Sequence, residues 1–245
     1  MPREQTTDLE MLERLIAPAG KDIVDIGCGG GGLARALARR GARVVGIEIS
    51  AAQLAQAQAQ AQAHAQAQAH AAENAQAEPP RYLIGRAQAL PLEDASVDIA
   101  VFMRSFHHVP PPDLDTALRE ARRVIRPGGV VYVVEPLTEG DFFALTSLID
   151  DERAVRAAAE QAIADAHRAG LERAHTVDYD VRTTIAGMAG LRARAVSVDP
   201  QRAAIFDARA AQLTEAFNRL GDAGESPGER CFVQPMRADL LRPGT

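Results

Sequence analysis

Tryptophan is absent from this chain of 245 residues, and aromatic residues make up only 4% of it. Proteins that bind single-stranded nucleic acids stack the bases on aromatic side chains, so stacking platforms would be scarce here. The chain also lacks a run of basic residues, and its net charge is −6. Because nucleic-acid-binding domains usually present a basic face, we expect no nucleic-acid partner.

Cysteines and long apolar runs are scarce as well. The two cysteines, Cys28 and Cys231, cannot form a metal cluster by themselves, and Cys28 lies among glycines where a structural disulfide would be awkward. This usage favours a reducing, cytoplasmic setting, and we expect no metal site. No apolar run approaches membrane-spanning length, and the first residues, MPREQTTDLEMLERL, lack the apolar core of a signal sequence. We therefore expect no membrane partner.

The order of the local patterns predicts an α/β fold. Short apolar segments predict strands, amphipathic segments predict helices, and 47% hydrophobic residues are available for a core. The predicted strands are residues 22–26, 43–48, 81–85, 97–103 and 130–135, and the predicted helices are residues 7–17, 31–40 and 113–125. This alternation predicts a doubly wound parallel sheet with helices on both faces.

The later part of the chain follows without a change in composition that would mark a linker. We expect one domain over residues 1–245, with its core in residues 20–136 and a helical cap in residues 137–228. The further segments predict one long helix or a broken pair in residues 140–170, a half-buried strand in 175–184, a helix in 200–220 and a last strand in 230–239. Proline fits poorly inside a central strand, so we expect a bulge or an edge position at Pro235.

A tract built almost entirely of alanine and glutamine occupies residues 51–78. Its period of two suits a strand, but both residue types are good helix formers and poor strand formers. We expect one surface helix of roughly 40 Å whose distal part projects into solvent, because such a face packs weakly. A homodimer contact and a lid are the alternatives. His64 and His70 are six residues apart on different helix faces, which does not favour a metal pair.

The segment VDIGCGGGG, which begins at Val24, is the most informative motif. Gly27, Gly29 and Gly32 satisfy G-x-G-x-x-G after a strand and before a helix, and Glu48 follows about 20 residues later. Glycines let backbone N–H groups approach a nucleotide, and an acidic residue at that distance can hold a ribose. This spacing alone fits an NAD site, but the glycine pattern is weakly specific.

Asp25 lies two residues before the first glycine and argues against NAD. A carboxylate that faces the ligand disfavours a pyrophosphate and suits a cationic group. Asp25 could instead accept hydrogen bonds from its own loop, Glu48 could be a surface carboxylate, and Cys28 fits a small loop residue rather than a nucleophile.

Five segments occur in a fixed order over residues 20–136: VDIGCGGG, GIEIS, AQALPLEDASVD, FMRSFHHV and RVIRPGG. In this order the chain resembles the class I S-adenosylmethionine-dependent methyltransferases, in the small-molecule branch that includes quinone methyltransferases. Each segment alone is a weak signal, whereas their joint order is a strong one. The resemblance implies a Rossmann-like sheet of seven mostly parallel strands, S-adenosylmethionine as cofactor and S-adenosylhomocysteine as product.

The resemblance also implies a set of cofactor-binding residues. They are Asp25, Gly27, Cys28 and Gly29 around the methionine part, Glu48 on the ribose, Ile49, Ala87 and Gln88 at the adenine, and Met103 and Arg104 beside the sulfonium. One position departs from the family, which commonly has an acidic residue before Ala87. Here Arg86 stands there, and it has no acceptor for the adenine amino group.

Methyl transfer to a small-molecule acceptor through oxygen, carbon or nitrogen is the expected reaction, by in-line displacement. His107 or His108 is the expected general base, and Arg104, His107 and Tyr179 are expected to contact the acceptor. Arg104 could instead pair with Glu135. The weaker cap candidates are Asp150, Asp151, His175, Arg182 and Arg230. An NAD-dependent oxidoreductase and a non-catalytic S-adenosylmethionine-binding scaffold are the alternative functions.

Overall fold

The structure is a computed structural model that describes residues 2–71 and 78–244, without the side chains of residues 64–71 and 198. The strands in the described residues are β1 (Glu4–Gln5), β2 (Asp22–Ile26), β3 (Arg43–Glu48), β4 (Arg81–Ile84), β5 (Val97–Met103), β6 (Ile125–Pro136), β7 (Leu171–Ala186), β8 (Asp222–Ala223) and β9 (Glu229–Pro243). The α-helices there are α1 (Asp8–Leu15), α2 (Gly32–Ala38), α3 (Ala51–Ala71), α4 (Leu114–Val124), α5 (Gly140–Thr146), α6 (Arg153–Ala164), α7 (Gly187–Val198), α8 (Arg202–Ala208) and α9 (Ala210–Leu220).

The chain divides into two compact units. The larger unit comprises Leu9–Glu135, Ala158–Val177 and Ala238–Thr245, and the smaller unit comprises Met1–Asp8, Pro136–Ala157 and Asp178–Arg237. Most of the smaller unit falls in the stretch expected to form the cap. The expectation of a single domain stays a prediction.

The sheet of the larger unit follows the order β7-β9-β6-β5-β2-β3-β4. Neighbours from β6 to β4 are parallel, with Ile23 opposite both Val44 and Ile99. The chain runs outward from β2 to β4 and then returns to β5 on the other side of β2, which makes the gap between β2 and β5 a topological switch point. The predicted doubly wound α/β fold is confirmed, and the two-residue strands β1 and β8 bring the described strands to nine rather than seven.

Helix α4 shows how the sequence pattern builds the core of this unit. Its residues at spacings of three and four form one apolar stripe that is fully or almost fully buried: Leu114, Ala117, Leu118, Ala121 and Val124. This stripe belongs to the same apolar cluster as Val24, Phe102 and Val133 of the central strands. Because the strands are covered, they are apolar along nearly their whole length, as parallel strands usually are.

The smaller unit has its own apolar cluster, in which Phe142, Phe217 and Phe232 meet at ring-centroid distances of 5.4–5.8 Å. Here β1 pairs in parallel with β7, and β8 pairs antiparallel with β9.

None of the helices in the described part of the chain has the length and apolar character needed to cross a membrane.

Several predicted elements differ from the structure in their bounds. The single helix expected over 200–220 is wrong, because it divides at Arg209 into α8 and α9. The broken pair in 140–170 is confirmed as α5 and α6, followed by a 3₁₀ turn. The alanine and glutamine helix is confirmed as α3, but Glu78 lies outside it and residues 72–77 lie outside the described residues. The side chains of His64 and His70 also lie outside the described residues. Helix α7 was not predicted.

Candidate cofactor and active site

The glycine loop lies at the carboxyl end of β2, next to the switch point where ligands bind in open α/β sheets. The backbone N–H groups of Gly27 and Cys28 both donate to the carbonyl oxygen of Ile47, at 2.8 and 3.0 Å. Gly27, Gly29 and Gly31 have φ angles of +74°, +53° and +74°. This left-handed backbone favours glycine, since a side chain there would clash with its own main chain.

Two of these glycines are also required by their neighbours. A Cβ atom on Gly27 would lie 2.7 Å from Cβ of Ser105, and one on Gly31 would lie 2.8 Å from ring carbon Cζ of Tyr82. In contrast, a Cβ atom on Gly32 would meet nothing within 4 Å. The sequence motif singled out Gly32, but the structure makes Gly31 the sterically required position.

Asp25 brings a buried carboxylate to this loop. The residue is only 2% exposed, and its Oδ2 atom has no hydrogen-bond partner among the described residues. Burial raises the pKa of Asp25 to about 7, with a further contribution from the negative charge of Glu48, while the backbone N–H of Ala34 opposes the shift. The loop therefore contains an uncompensated acceptor that a cationic or N–H-bearing ligand would satisfy.

Glu48, at the carboxyl end of β3, is 7% exposed and so is not a surface carboxylate. Its Oε1 accepts hydrogen bonds from the backbone N–H groups of Ile49 and Ser50, and its Oε2 accepts one from Gly29, each at 2.9 Å. A carboxylate has about four acceptor positions. The remaining position on Oε2 suits a ligand hydroxyl, whereas both positions of Oε1 hold the backbone in place.

The residues that follow β5 are hydrogen-bonded to the end of β2, next to the glycine loop. Met103 ends the strand, and Arg104 has a left-handed φ of +55° while its backbone N–H donates to Val134 at 2.8 Å. The Ser105 hydroxyl then donates to the carbonyl oxygen of Ile26 at 2.6 Å. Non-glycine residues with such φ values are uncommon and are concentrated at functional sites.

The residues expected at the adenine lie at the ends of β3 and β4. Ile49 is 58% exposed, which leaves an apolar surface for a flat ligand ring. Arg86 is exposed, and Ala87 and Gln88 are half-buried. The amide Nε2 of Gln88 donates to Oδ2 of Asp113 at 3.1 Å, so the amide group has a fixed orientation.

His107 is paired with a carboxylate that the sequence analysis did not assign to it. The residue is 4% exposed, and its Nδ1 is hydrogen-bonded to Oε2 of Glu135. The other oxygen of Glu135 accepts from the backbone N–H groups of Phe106 and His107, at 2.8 and 3.3 Å. Glu135 is the one acidic residue in the apolar run VVYVVEP. A lone acidic residue in such a run was the feature of the sequence that could have indicated this contact. His108 is exposed, with its ring centroid 4.0 Å from that of His107.

All ten residues expected to bind the cofactor lie in the larger unit, together with His107 and His108. Tyr179 lies in the smaller unit, is fully buried, and donates its hydroxyl hydrogen bond to Asp8 at 2.7 Å. That bond gives its proposed contact with the acceptor no support. The weaker candidates Asp150, Asp151, Arg182 and Arg230 also lie in the smaller unit, and His175 lies in the larger one.

The comparisons with known proteins agree with this geometry. Residues 24–133 match the family described as "Methyltransferase domain". A ubiquinone biosynthesis O-methyltransferase of Pseudomonas entomophila is 32% identical over 121 residues, which cover 49% of this chain and 47% of that protein. The chain contains a class I S-adenosylmethionine-dependent methyltransferase domain. S-adenosylmethionine is the cofactor of this family, and Asp25, Glu48 and the glycine loop fit it.

A second curated relative also matches only about half of this chain. A 37.1 kDa protein in transposon TN4556 of Streptomyces fradiae is 38% identical over 130 residues, which cover 51% of this chain and 33% of that protein. The chain thus spans less than half the length of these curated relatives of the methyltransferase domain.

Solved structures match over nearly the whole chain. A Bacillus halodurans protein has a TM-score of 0.64 at 21% identity and covers 98% of this chain and 100% of its own. The [4+2]-cyclase SpnF has a TM-score of 0.62 at 20% identity and covers 96% of this chain and 80% of its own. At these identities the likeness shows the fold alone.

Proposed function

We propose that this protein transfers the methyl group of S-adenosylmethionine to a small-molecule acceptor. The observation that carries the proposal is the unpartnered, buried Oδ2 of Asp25 beside the glycine loop, since it calls for a cationic or N–H-bearing ligand. The name of the relatives, ubiquinone biosynthesis O-methyltransferase, favours oxygen as the methylated atom over nitrogen or carbon. We infer no nucleic-acid partner, and the homodimer through α3 remains an alternative to a monomer.

The residues have separate roles in this proposal. Asp25 and the loop from Gly27 to Gly29 hold the methionine part, and Oε2 of Glu48 accepts from the ribose. Ile49 covers the adenine ring, Ala87 and Gln88 line its edge, and the Gln88 amide oxygen replaces the acidic acceptor that Arg86 lacks. Met103 and Arg104 flank the reacting centre. When bound, the cofactor supplies a methyl group already activated by its sulfonium.

The acceptor is held by Arg104 and His107, and a histidine removes its proton. Arginine suits a carboxylate of the acceptor through paired hydrogen bonds. Because the displacement is in line, the residues mainly align the acceptor atom, the methyl carbon and the sulfur. Cys28 and Cys231 are free thiols, and the cytoplasmic setting is part of this proposal.

Calorimetric titration with S-adenosylmethionine, S-adenosylhomocysteine and NAD tests the cofactor. We expect the first two to bind and NAD not to bind, because the carboxylate of Asp25 beside the glycine loop disfavours a pyrophosphate. Tight binding of NAD alone would contradict the proposal and support an oxidoreductase. Mass spectrometry of a panel of phenols, amines and carbon acids after incubation with S-adenosylmethionine then tests methyl transfer.

The second candidate is a cofactor-binding protein that transfers no methyl group. It stays an alternative because the fold by itself does not imply methyl transfer, and the [4+2]-cyclase SpnF has this fold. Binding of S-adenosylmethionine without a methylated product from any acceptor class would support this candidate against methyl transfer.

Replacement of Glu48 by alanine tests the ribose contact. We expect Glu48→Ala to weaken S-adenosylhomocysteine binding at least about tenfold, or about 1.4 kcal/mol, because a buried ligand hydroxyl loses its acceptor. Glu225→Ala, at an exposed glutamate of the smaller unit, is the matched control. Thermal unfolding of both variants shows whether the three backbone hydrogen bonds of Glu48 also affect stability. Unchanged affinity in Glu48→Ala would show that the ribose is held elsewhere.

A further inference from the structure

Helix α3, which contains most of the alanine and glutamine tract, is connected to the cofactor loop through Glu48. Oε1 of Glu48 accepts the backbone N–H of Ser50 at 2.9 Å. The carbonyl oxygen of Ser50 accepts the backbone N–H of Leu54, and its hydroxyl oxygen accepts that of Gln53 at 3.4 Å. In this way Ser50 caps the helix. The carboxylate that we propose for the ribose therefore also fixes where α3 begins.

The side chain of Gln53, in the first turn of α3, lies against the glycine loop. Its Oε1 atom is 3.0 Å from the position that a Cβ atom on Gly29 would occupy. The backbone N–H of Gly29 donates to Oε2 of Glu48 at 2.9 Å. The amide of Gln53 and the carboxylate of Glu48 therefore both lie next to the same glycine.

The hydrogen-bonding groups of this amide are available to a ligand. Gln53 is half-buried, and its side-chain amide forms no hydrogen bond with any residue that the structure describes. A side-chain amide has two N–H donors and an acceptor oxygen, whereas the neighbouring carboxylate of Glu48 only accepts. A hydroxyl group donates one hydrogen bond and accepts others, so a single ligand hydroxyl can bind to both side chains.

The next glutamines of α3 do not have this position. Gln56 is exposed, and its amide atoms lie 3.8–3.9 Å from the position of a Cβ atom on Gly30, which is an ordinary van der Waals distance. Gln58 is exposed as well. The repeated glutamines look alike in the sequence, and the packing of α3 against the loop distinguishes Gln53 from these two.

We propose that Gln53 is a further cofactor-binding residue, whose Nε2 donates to a ribose hydroxyl of S-adenosylmethionine that itself donates to Oε2 of Glu48. This hydroxyl uses the remaining acceptor position on Oε2 and one donor of the amide. A cofactor without the hydroxyl loses both bonds, so the two side chains together select ribose over deoxyribose. This inference rests on the proposed cofactor site, and it gives the alanine and glutamine tract a role in binding.

Calorimetric titration with S-adenosylhomocysteine compares the wild-type protein with Gln53→Ala, Gln53→Glu and Gln58→Ala. We expect Gln53→Ala to weaken binding about three- to tenfold, as the loss of one hydrogen bond does. Gln53→Glu keeps the length of the side chain but removes its donors and places a second carboxylate near Glu48, so we expect a loss of about tenfold or more. Gln58→Ala is the matched control on the same helix and should bind like the wild type.

Two analogues of S-adenosylhomocysteine, one without the 2′-hydroxyl and one without the 3′-hydroxyl, separate a ribose contact from a structural role. One of them should bind to the wild-type protein and to Gln53→Ala with equal affinity, because the bond that the substitution removes is already absent. The weakening caused by Glu48→Ala should shrink with the same analogue. Wild-type affinity of Gln53→Ala for S-adenosylhomocysteine would overturn the proposal. An equal weakening towards all three ligands would also overturn it, since a structural role predicts that result.

Failure of the proposed function gives a different result from failure of this inference. If the wild-type protein binds S-adenosylhomocysteine but methylates no acceptor, methyl transfer fails, whereas a weakening in Gln53→Ala that one deoxy analogue abolishes still supports the ribose contact. If the wild-type protein binds none of the three ligands, the cofactor site fails and this inference with it. Weaker binding in Glu48→Ala together with wild-type binding in Gln53→Ala would overturn this inference alone.

Discussion

Asp25 and Glu48 bring two carboxylates to one glycine loop, and their surroundings make them different. Glu48 has three backbone N–H donors, whereas Oδ2 of Asp25 has no hydrogen-bond partner among the described residues. Burial and the charge of Glu48 therefore raise the pKa of Asp25 to about 7 from an ordinary 3.8. Asp25 is thus a destabilising residue in the protein without ligand, and a cation-bearing cofactor would compensate for it.

Replacement of Asp25 by asparagine is expected to separate stability from binding. An acid with a raised pKa in the folded state keeps its proton while the unfolded chain loses it, so the free energy of unfolding falls as pH rises from about 4 to about 7. Asp25→Asn removes this loss. Its midpoint of thermal unfolding should exceed that of the wild type by more at pH 8 than at pH 5.5.

The same variant should bind the cofactor less well. At pH 8 we expect S-adenosylmethionine binding to weaken by roughly tenfold, about 1.4 kcal/mol, because the ionised carboxylate is lost. Wild-type affinity should rise from pH 6 to pH 8 with a steeper slope than in the variant. Parallel slopes in calorimetry at the two pH values would contradict the ionisation of Asp25 on binding.

At the scale of elements, the turn from β2 into α2 depends on the ring of Tyr82 in β4. Tyr82 is 8% exposed, and its hydroxyl donates to the carbonyl oxygen of Gly31 at 3.4 Å. The same ring would overlap a Cβ atom on Gly46 of β3, with a ring carbon 2.7 Å away. One aromatic side chain therefore packs against the cofactor loop and the neighbouring strand together.

A matched pair of glycine variants tests this packing. Gly31 and Gly20 both have a φ of +74°, but a Cβ atom on Gly20 would meet nothing within 4 Å. Gly20→Ala should cost only the conformational penalty of about 1–2 kcal/mol. Gly31→Ala should cost a further ~1–3 kcal/mol because the alanine methyl overlaps Tyr82. Urea unfolding measures both, and equal losses would show that Tyr82 does not constrain the loop.

The bounds of elements were predictable where the local pattern was complete. Strands 22–26, 43–48 and 97–103 have the predicted bounds. The strand predicted over 130–135 is longer in the structure, because β6 already begins at Ile125 and includes the segment RPGG. The helix predicted over 200–220 divides at Arg209, and no proline or glycine marks the break. Its two halves pack in a cluster that contains Phe206 and Phe217, a tertiary requirement that the pattern does not contain.

For the whole molecule, the division into two compact units predicts which part of the chain the cofactor stabilises. All ten residues proposed to bind it lie in the larger unit. At one hundred times the dissociation constant, S-adenosylmethionine should raise the free energy of unfolding of that unit by ~2.7 kcal/mol, since a ligand that binds only the folded state stabilises it by mass action.

Thermal unfolding with and without the ligand measures this stabilisation. If two transitions are resolved, the one that S-adenosylmethionine shifts should belong to the larger unit, as reported by hydrogen exchange of β2 and β3. NAD at the same concentration is the control and should shift neither transition. An equal shift with NAD would contradict the cofactor assignment.

The sequence alone determined the order of strands and helices from α1 to β6, the glycine loop and the two acidic positions at strand ends. These features are local, because periodicity, glycine and a strand end are set by neighbouring residues. The tertiary structure decided that Gly31 is constrained by Tyr82, 51 residues away, and that His107 pairs with Glu135, 28 residues away. It also placed the Tyr179 hydroxyl on Asp8, 171 residues away. Such partners depend on strand order and register, which bring distant positions together and which no local pattern contains.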